Sequence, residues 1–482
     1  MKKRLAEILK QQAVISRLMP WLLTLLIIAL SVLSVSLLDR AEKRYALRGD
    51  YSFNSITTQS AQTDEILRDL LHPVHAYALA SPGQEDQALL GLLNRLATLT
   101  PKFTYSVENL VENPLLVNML SSSLQDEAVT ADSLILHSEE TGRTRVLDSL
   151  DFLEQSFDMN RQAYVLAGVR YEASIAEALL YITSDEVPQI YILQGHGELA
   201  ENETSAMEAL LYDHHYEVSR FNLLSGETPD PKALMVILSP QVDLDEKELE
   251  MLLSFAGQGG AFLITNDYSD PALDNFAALN RSMGFVRKPG IVIADSEDKA
   301  AYIDNPVFLT PYMQMTEPTA ALIGSAQTRL RLPGAAAFDM APNDNLTVSP
   351  LLTSGLAFIK DVSRAEVTLV MEDGEEQGQF HLALLSDLAH LSGNHSRAMI
   401  LGNSAILLDS WLHETTYGAQ FLTHMADYLS PRKPVSLNIP PKALVRPQLE
   451  IAQPWLPLAF LILLPIMAGL AALPLLIKRR RR

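Results

Sequence analysis

The sequence predicts an α/β protein with two extracytoplasmic α/β lobes, flanked by two transmembrane helices. Two observations carry this prediction. Short apolar runs of strand length alternate with stretches of helical periodicity over most of the chain, which is typical of sheets covered by helices. A long uncharged run also lies near each end of the 482 residues. The hydrophobic content of 48% and the charged content of 20% are ordinary for a folded protein, so a packed core is expected.

The charge distribution excludes one class of partner. The net charge is −21, although residues 1–38 carry a net charge of +4 and residues 478–482 add five more positive charges. The body between the two ends is therefore more acidic than the total, and it would repel the phosphates of a nucleic acid. The chain has no cysteine, which excludes disulfides, thiolate metal sites and a cysteine nucleophile.

The first uncharged run predicts a transmembrane helix at 18–38. Its 21 residues, Leu18 to Leu38, are enough to cross the hydrocarbon core, which needs about 20 apolar residues. Trp21 lies near one end, where an indole ring favours the membrane interface. A cleaved signal peptide is the alternative, but the run is longer than the apolar region of such a peptide and no clear cleavage site follows it. Residues 1–17 then form a cytoplasmic tail.

The second uncharged run predicts a transmembrane helix at 454–477. Trp455 to Ile477 gives 23 uncharged residues, and the cationic block KRRRR follows at 478–482. Three prolines interrupt the run, and transmembrane helices tolerate proline. A buried core helix is the alternative. The cationic block favours the membrane span, because lysine and arginine remain on the cytoplasmic side as a basic tail.

The positive-inside rule then places both termini in the cytoplasm. Lysines and arginines precede the first span and follow the second, although four further basic residues at 40–48 weaken the bias. Residues 39–452 would form a large extracytoplasmic region. We therefore expect a protein of the bacterial cytoplasmic (inner) membrane that crosses the lipid bilayer twice.

Residues 39–185 predict the first α/β lobe. Apolar positions at helical spacing alternate with strand-like segments, and Gly142 marks a hairpin turn. Strands are expected at 51–57, 74–80, 102–110 and 132–138, and helices at 59–71, 86–99 and 172–182. This alternation favours a mixed sheet.

Residues 186–430 predict the second lobe, a doubly wound parallel sheet with helices on both faces. Apolar strands are expected at 190–194, 234–239, 261–265, 291–294, 380–386 and 398–402. One helix is predicted to begin at a capping box of Ser205 and Glu208, and another at Asp245 and Glu248. Residues 300–378 are less regular. The proline-rich residues 431–453 are expected to form an extended tether to the second span.

The motif Gly195-His196-Gly197-Glu198 is the candidate ligand-binding site. It follows the predicted strand at 190–194, and open α/β sheets bind ligands at the carboxyl ends of such strands. The glycines would let a ligand approach the backbone, His196 could act as an acid or base, and Glu198 could be its partner. The alternative is structural, in which the glycines make a tight turn and His196 is a solvated or capping residue. No residue is assigned a catalytic role.

Other polar residues give weaker indications. The adjacent His214 and His215 diverge by about 100° on a helix, so they are expected to form a surface pair rather than a metal site. A further set lies near the last predicted strands and could line the same crevice, although turn chemistry explains most of its members. These residues are Asp387, Asn394, His395, Asn403, Ser404 and Asp409. The sequence has no phosphate-binding loop, no serine nucleophile elbow and no HExxH motif, so neither a cofactor nor a metal is expected.

The order of these motifs resembles the GldG-like auxiliary component of ABC transport systems, a family first associated with gliding motility. The resemblance is carried by IYILQGHGE at 190–198, by the segment 236–267 and by MILGNSAILLDSWL at 399–412. They match, in order, the family's strand entering GHGE, its SPQ strand end, its GG before the next strand and its late GNS motif. Together with the two anchors, the resemblance covers nearly the whole chain.

This resemblance implies a fold, a function and partners. The lobe at 186–430 would be the ABC-transporter auxiliary domain, similar to flavodoxin-like glutamine amidotransferase folds but without their cysteine nucleophile. A multi-span ABC permease and a cytoplasmic ATPase would be its partners. We therefore expect a non-catalytic accessory subunit whose extracytoplasmic domain binds substrate or an envelope partner. The alternatives are an envelope hydrolase or glycan-modifying enzyme that uses the Gly195–Glu198 loop, and a membrane-tethered ligand sensor.

Overall fold

The structure is a computed structural model that describes most of the chain between its two ends. The described residues are 57–120, 129–158, 163–298, 301–323, 330–362, 368–412, 417–434, 437 and 439–443. The tails at 1–17 and 478–482, the spans predicted at 18–38 and 454–477, and all but the last residue of the strand predicted at 51–57 lie outside them. Within the described ranges, no helix combines the length and the apolar character that a membrane crossing requires.

The predicted α/β class is confirmed, because helices and strands alternate through the described chain. Its α-helices are α1 (Ala61–Arg68), α2 (Gln87–Leu99), α3 (Leu115–Leu120), α4 (Tyr171–Thr183), α5 (Glu201–Asp213), α6 (Glu246–Gly257), α7 (Asp274–Ser282), α8 (Ala320–Ile323), α9 (Asp409–Leu412) and α10 (Gly418–Leu429). Its strands are β1 (Val74–Leu79), β2 (Phe103–Glu108), β3 (Leu134–His137), β4 (Thr144–Leu147), β5 (Leu153–Asp158), β6 (Ala163–Val169), β7 (Gln189–Leu193), β8 (Glu217–Phe221), β9 (Leu234–Leu238), β10 (Ala261–Thr265), β11 (Phe285–Ala294), β12 (Tyr302–Ile303), β13 (Asn305–Leu309), β14 (Tyr312–Met313), β15 (Leu332–Pro333), β16 (Ala335–Met340), β17 (Leu346–Thr353), β18 (Ala357–Lys360), β19 (Gln377–Gly378), β20 (His381–Ala389), β21 (His395–Leu401) and β22 (Lys442–Ala443).

The first part of the chain builds a mixed sheet of order β2-β1-β3-β4. Strands β1 and β2 are parallel because α2 crosses between them, whereas β3 pairs antiparallel with both β1 and β4. The β3–β4 turn is a hairpin in which Gly142 has a φ of 69°. Leucines of α1 and α2, the apolar face of α4 and the inner side chains of the sheet form one core.

Five parallel strands in the order β8-β7-β9-β10-β21 form one half of the larger sheet. In chain order this is 2-1-3-4-5, as in flavodoxin-like doubly wound sheets. The strands β9 and β10 are buried on both faces. Helices α5 and α10 cover one face and helices α6 and α7 the other, each through its own apolar core.

The other half of the larger sheet is antiparallel, which corrects the prediction of a parallel sheet throughout. Strand β20 pairs antiparallel with β21, and the sheet continues through β16, β11, β18 and β19. Parallel neighbours need a long crossover, usually a helix. After α7 the chain offers short connections instead. The less regular segment 300–378 supplies the short strands β12 to β19, which sequence periodicity did not separate.

Two helix starts were predicted from capping boxes, and one prediction was wrong. Helix α6 begins after Asp245, whose carboxylate accepts the backbone N–H of Glu248, while Glu248 accepts the backbone N–H of Asp245. Helix α5 instead begins at Glu201, so Ser205 lies within it. Ser205 donates its hydroxyl to Asp409 at 2.6 Å rather than capping a helix.

We call the described residues between 431 and 443 the strap. They do not form the predicted free tether but lie along α4. Arg432 begins this path with an ion pair to Glu186 at 3.4 Å. Ile439 then packs against Ala173 and other apolar residues of the helix. Strand β22 finally pairs with β6, where Gly168 lacks a side chain and lets the strap backbone approach. The strap therefore carries the chain from the larger sheet to the start of α4.

A buried ionic cluster closes this path at the start of α4; we call its residues Ser60, Thr63, Glu172 and Lys442 the clasp. The Glu172 carboxylate is 4% exposed and lies 3.0 Å from the Lys442 ammonium. It also accepts hydrogen bonds from the Thr63 hydroxyl at 2.6 Å and from the Ser60 backbone N–H. Burial alone would raise the pKa of Glu172, but these hydrogen bonds lower it below its ordinary value. The clasp therefore joins the segments at the two ends of the described chain.

We predict that Lys442→Ala destabilises the first sheet and its helices, because it leaves the buried Glu172 carboxylate without its cation. The expected loss is about 3 kcal/mol, the lower end of the cost of removing one partner from a buried pair. Urea denaturation of the full chain in mild detergent measures this loss. Lys433→Ala removes the same charge from an exposed position of the strap and is the matched control. Equal effects of the two substitutions would contradict the importance of the clasp.

Candidate functional site

The loop after β7 contains the predicted motif and lies against the loop after β9. Gly195 and Gly197 have φ values of 121° and 74°, which side-chain-bearing residues rarely adopt. A Cβ added to Gly197 would lie 3.0 Å from the Gln241 side chain. The carbonyl oxygen of His196 accepts the backbone N–H groups of Gln241 and of the next residue, each at 2.8 Å. Strands β7 and β9 flank the point where the strand order reverses, so the loop occupies the crevice in which such sheets commonly bind ligands.

His196 is buried between two carboxylates, and we call His196, Glu198 and Glu248 the histidine cluster. The His196 Nε2 lies 3.2 Å from Glu248 Oε2, and its Nδ1 lies 3.3 Å from Glu198 Oε1. The second contact is an ion pair without hydrogen-bond alignment. The backbone N–H of His196 donates to the other oxygen of Glu198 at 2.7 Å. The ring of Phe276 packs edge-on against the imidazole, with 5.7 Å between centroids.

The electrostatics of the histidine cluster favour a charged imidazole. The proximity of Glu198 raises the pKa of His196 above its ordinary value of 6.5, burial opposes this rise and Glu248 adds to it. Burial would raise the pKa of Glu198, but the His196 ring and nearby backbone N–H groups more than offset it, so that the pKa is lowered. The cluster thus places a cation between two carboxylates inside the protein.

These contacts favour the structural interpretation of the Gly195–Glu198 loop. Both ring nitrogens of His196 face carboxylates, and the side chains of His196, Glu198 and Glu248 are all almost fully buried. An outside molecule would have to displace one of these partners to exchange a proton with the ring. Because Glu248 is also part of the capping box of α6, His196 ties the loop after β7 to the start of that helix. The geometry gives no support to an enzyme that uses this loop.

A cleft of about 350 Å³ lies beside the histidine cluster, between the loop after β10, helix α7 and the start of β11. Its walls combine apolar side chains with seven polar ones, and its size suits a small ligand. The polar residues are Thr265, Asn266, Asp270, Asp274, Asn280, Arg281 and Arg287. Phe276 lines the cleft and separates it from His196, so Gly195, His196, Gly197 and Glu198 do not line it.

Asp270 lines the cleft and is held in place by hydrogen bonds. Its carboxylate accepts hydrogen bonds from the side chains of Gln241 and Asn266, each at 3.0 Å, and from the backbone N–H of Asp267 at 2.7 Å. The Arg287 guanidinium donates to the Asp270 carbonyl oxygen at 2.8 Å. Burial lowers the pKa of Arg287, and the nearby carboxylates oppose this shift. The loop after β10 is therefore rigidly held.

Asn280 lines the cleft, and its side chain contains an unsatisfied hydrogen-bond acceptor. The residue is 7% exposed, and its side-chain oxygen has no hydrogen-bond partner. An unpaired buried polar group costs about 1–3 kcal/mol, so native proteins rarely retain one without a reason. The atom itself is out of reach of solvent, so a ligand's hydroxyl or N–H donor would satisfy it once the Asn280 side chain turns toward the cleft. Asn280 is thus the observation that most directly indicates a ligand in the cleft.

The other predicted polar residues do not form one crevice. Asn403 and Ser404 follow β21 at its carboxyl end, where Ser404 donates to Asp267 at 2.5 Å. Asp387 and His395 pair at 2.6 Å near the opposite end of β21, and Asp409 instead accepts from Ser205 and Ala206 of α5. His214 is exposed at the end of α5, whereas His215 is half-buried near Glu177, so the two do not form a single surface pair.

Sequence reasoning missed the cleft and the third member of the histidine cluster. The polar run from Asn266 to Asp270 directly follows a buried strand, and this signal could have indicated the cleft. Asn280 had no such signal, because it reads as an ordinary helix residue. Glu248 was assigned a capping role, but its contact with His196 spans 52 residues of sequence and could not be inferred. Among the described residues, no group of three or more His, Cys, Asp or Glu side chains is arranged to hold a metal ion.

Comparisons with known proteins find remote likenesses in structure. No family model matches the chain, and no curated protein matches it. The N-terminal domain of mmIFT52 is 13% identical at a TM-score of 0.38, covering 52% of this chain and 100% of that domain. Exo-beta-1,4-mannosidase Op5Man5 from Opitutaceae bacterium strain TAV5 is 12% identical at 0.29, covering 70% of this chain and 48% of the mannosidase. A ThuA-like protein from Bacteroides uniformis is 12% identical at 0.28, covering 52% and 97%. Likenesses this weak do not bear on function.

We predict that His196→Gln reduces stability and removes a pH dependence. The substitution leaves two buried carboxylates without their cation, which should cost on the order of 3–5 kcal/mol. Because the pKa of His196 is raised, its contribution is present in full below pH 6.5 and is lost as the pH rises through the raised value. The thermal midpoint of the wild type should therefore fall between pH 6 and pH 9 more steeply than that of the variant.

His424→Gln, on α10, is the control for this experiment. It removes an imidazole from a helix that packs on the same sheet and leaves the histidine cluster intact. Its pH profile should follow the wild type. A His196→Gln profile that also follows the wild type would show that the histidine cluster contributes nothing.

Proposed function

We propose that this chain is a non-catalytic, membrane-anchored accessory subunit of an ABC-type transport complex of the bacterial inner membrane. Its extracytoplasmic domain binds a substrate or an envelope partner at the cleft between the loop after β10, α7 and β11. An ABC permease and a cytoplasmic ATPase are its partners. The GldG-like order of sequence motifs is the source of the transport assignment, and the cleft is the source of the binding assignment.

The unsatisfied acceptor of Asn280 in the cleft is the observation that carries the binding role. Apolar walls, two guanidinium groups and the amide oxygen provide contacts that orient a small ligand. The lining contains no histidine, serine, cysteine, lysine or tyrosine; its one hydroxyl belongs to the buried Thr265, and its carboxylates are Asp270 and the exposed Asp274. Asp270 already accepts three hydrogen bonds. Such a site suits recognition rather than chemistry.

The clasp supports anchoring at both ends. It holds the described ends of the chain, at Thr58 and Lys442, in direct contact, since the Lys442 ammonium donates to the Thr58 carbonyl oxygen. Apolar runs at 18–38 and 454–477 lie beyond these two ends. Two spans that leave the domain side by side would fix it close to the bilayer, where a permease subunit is within reach.

The absence of a phosphate-binding loop from the sequence supports a separate energy source. The P-loop pattern that cradles nucleotide phosphates does not occur anywhere in the 482 residues. A transport role therefore requires an ATPase outside these 482 residues.

Purification of the tagged full chain in mild detergent tests the transport assignment. Mass spectrometry should identify a multi-span ABC permease and an ATPase in near-stoichiometric amounts. A parallel purification from cells with the untagged chain defines the background. Recovery of the chain alone, under conditions that preserve other membrane complexes, would contradict this assignment.

Asn280→Leu tests the binding role of the cleft. The substitution replaces an unpaired buried oxygen by an apolar group of similar size, so the free energy of unfolding should stay equal or rise by up to about 2 kcal/mol. Transport by the complex should nevertheless fall, because the ligand loses its acceptor. Asn403→Leu is the matched control for the effect on stability. Asn403 donates to the carbonyl oxygens of Pro333 and Gly334, so this substitution should lower the free energy of unfolding. Normal transport by Asn280→Leu would contradict a binding role.

A further inference from the structure

Four exposed apolar side chains lie near the loops of the first sheet; we call them the apolar rim. They are Val111, Leu115, Met119 and Leu150, with exposed fractions of 88%, 64%, 73% and 66%. Two of them, Leu115 and Met119, are four residues apart and share the outer face of α3. The neighbouring Leu116 and Leu120 point inward, into an apolar cluster with side chains of β1, β3 and β4.

Val111 and Leu150 lie at one edge of the first sheet, and α3, which carries Leu115 and Met119, begins at this edge and packs on the adjoining face of the sheet. Strands β1 and β2 are parallel and end together, at Leu79 and Glu108, so residues 109–120 follow β2 at this carboxyl edge. Strand β4 ends at Leu147, which pairs with Leu134, and Leu134 pairs with the end of β1. Leu150 therefore emerges at the same edge.

The clasp places both described ends of the chain at this edge as well. Asp86 caps the start of α2 near the end of β1, and its carboxylate accepts the Tyr171 hydroxyl at 2.5 Å. Tyr171 begins α4, and the next residue, Glu172, holds Lys442 in the clasp. Helix α4 then runs to the opposite edge, where Arg143 of the β3–β4 turn donates to the Tyr181 carbonyl oxygen and the chain continues to the larger sheet.

We propose that the apolar rim inserts into the interface of the lipid bilayer next to the two anchors. The inference rests on the proposed membrane anchoring, because both ends at this edge lead to apolar runs long enough to span a bilayer. An edge held between two anchors faces the membrane. Exposed apolar side chains at this edge bind the bilayer interface because insertion removes their apolar surface from water. The rim thus gives the domain a third contact with the membrane and a fixed orientation.

The charges beside the apolar rim specify the lipid. Glu112 and Asp151 are exposed and adjacent in sequence to Val111 and Leu150, and Asp148 lies two residues before Leu150. Carboxylates at the headgroup level are repelled by anionic lipids. The rim therefore prefers a zwitterionic surface such as phosphatidylcholine over one rich in phosphatidylglycerol.

Site-directed spin labelling tests this proposal, and the absence of native cysteines makes single labels possible. Leu115→Cys and Met119→Cys in the full chain are labelled with a nitroxide and reconstituted into phosphatidylcholine vesicles. Power saturation then compares the access of oxygen, which enters lipid, with that of a water-soluble nickel complex. Both labels should show a several-fold higher oxygen-to-nickel ratio than Leu391→Cys, an exposed position in the turn between β20 and β21. Phosphatidylglycerol should lower this ratio.

The outcomes distinguish a failure of the proposed insertion of the apolar rim from a failure of the proposed anchoring. Rim labels with the ratio of Leu391→Cys would overturn the proposal, and so would labels that neither reagent reaches, since these would indicate a contact between proteins. Alkaline carbonate extraction of the same vesicles tests the anchors independently. A chain that stays in the membrane while its rim labels remain in water overturns the rim alone. A chain that carbonate releases overturns the proposed anchoring itself.

Discussion

The buried carboxylate of Glu172 imposes the constraint on which the arrangement of the chain depends. A carboxylate that is 4% exposed requires a cation and hydrogen-bond donors, because an unpaired buried charge is strongly destabilising. Its cation comes from Lys442, whose ammonium also contacts Thr58, 384 residues earlier. This single requirement brings the strap back along α4, completes the sheet of β5, β6 and β22, and fixes both ends of the described chain at one edge of the first sheet.

A second buried ionic group, the histidine cluster, determines which part of this edge of the larger sheet is open. It fastens the loop after β7 to the start of α6 and so occupies the crevice at the reversal of strand order. The accessible cleft is displaced toward the loop after β10, where Asp270 is saturated with hydrogen bonds and Asn280 is not. The cleft thus lies at the carboxyl ends of the parallel strands, the usual binding edge of such sheets, but beside the reversal of strand order rather than at it.

The sequence was sufficient for the α/β class and for elements whose signals are local. The buried strands β7, β9 and β10, the capping box of Asp245 and the turn at Gly142 all follow from periodicity or turn chemistry within a few residues. The strands at 291–294 and 380–386 of the larger sheet were predicted, but their antiparallel pairing was not, because the segment 300–378 between them carries no clear period. Contacts between distant segments form the clasp, the pair of His196 and Glu248, and the cleft. Local patterns cannot supply these contacts.

Distance measurement between the two ends of the described chain tests the central claim most directly. Spin labels at Gln59→Cys and Ala443→Cys, in the full chain reconstituted into vesicles, report this distance by double electron–electron resonance. The clasp predicts one short and narrow distance distribution, which Lys442→Ala should broaden. A broad distribution centred at a long distance in the otherwise unaltered chain would show that the ends are not held together, and would contradict a clasp that fixes the domain beside the proposed anchors.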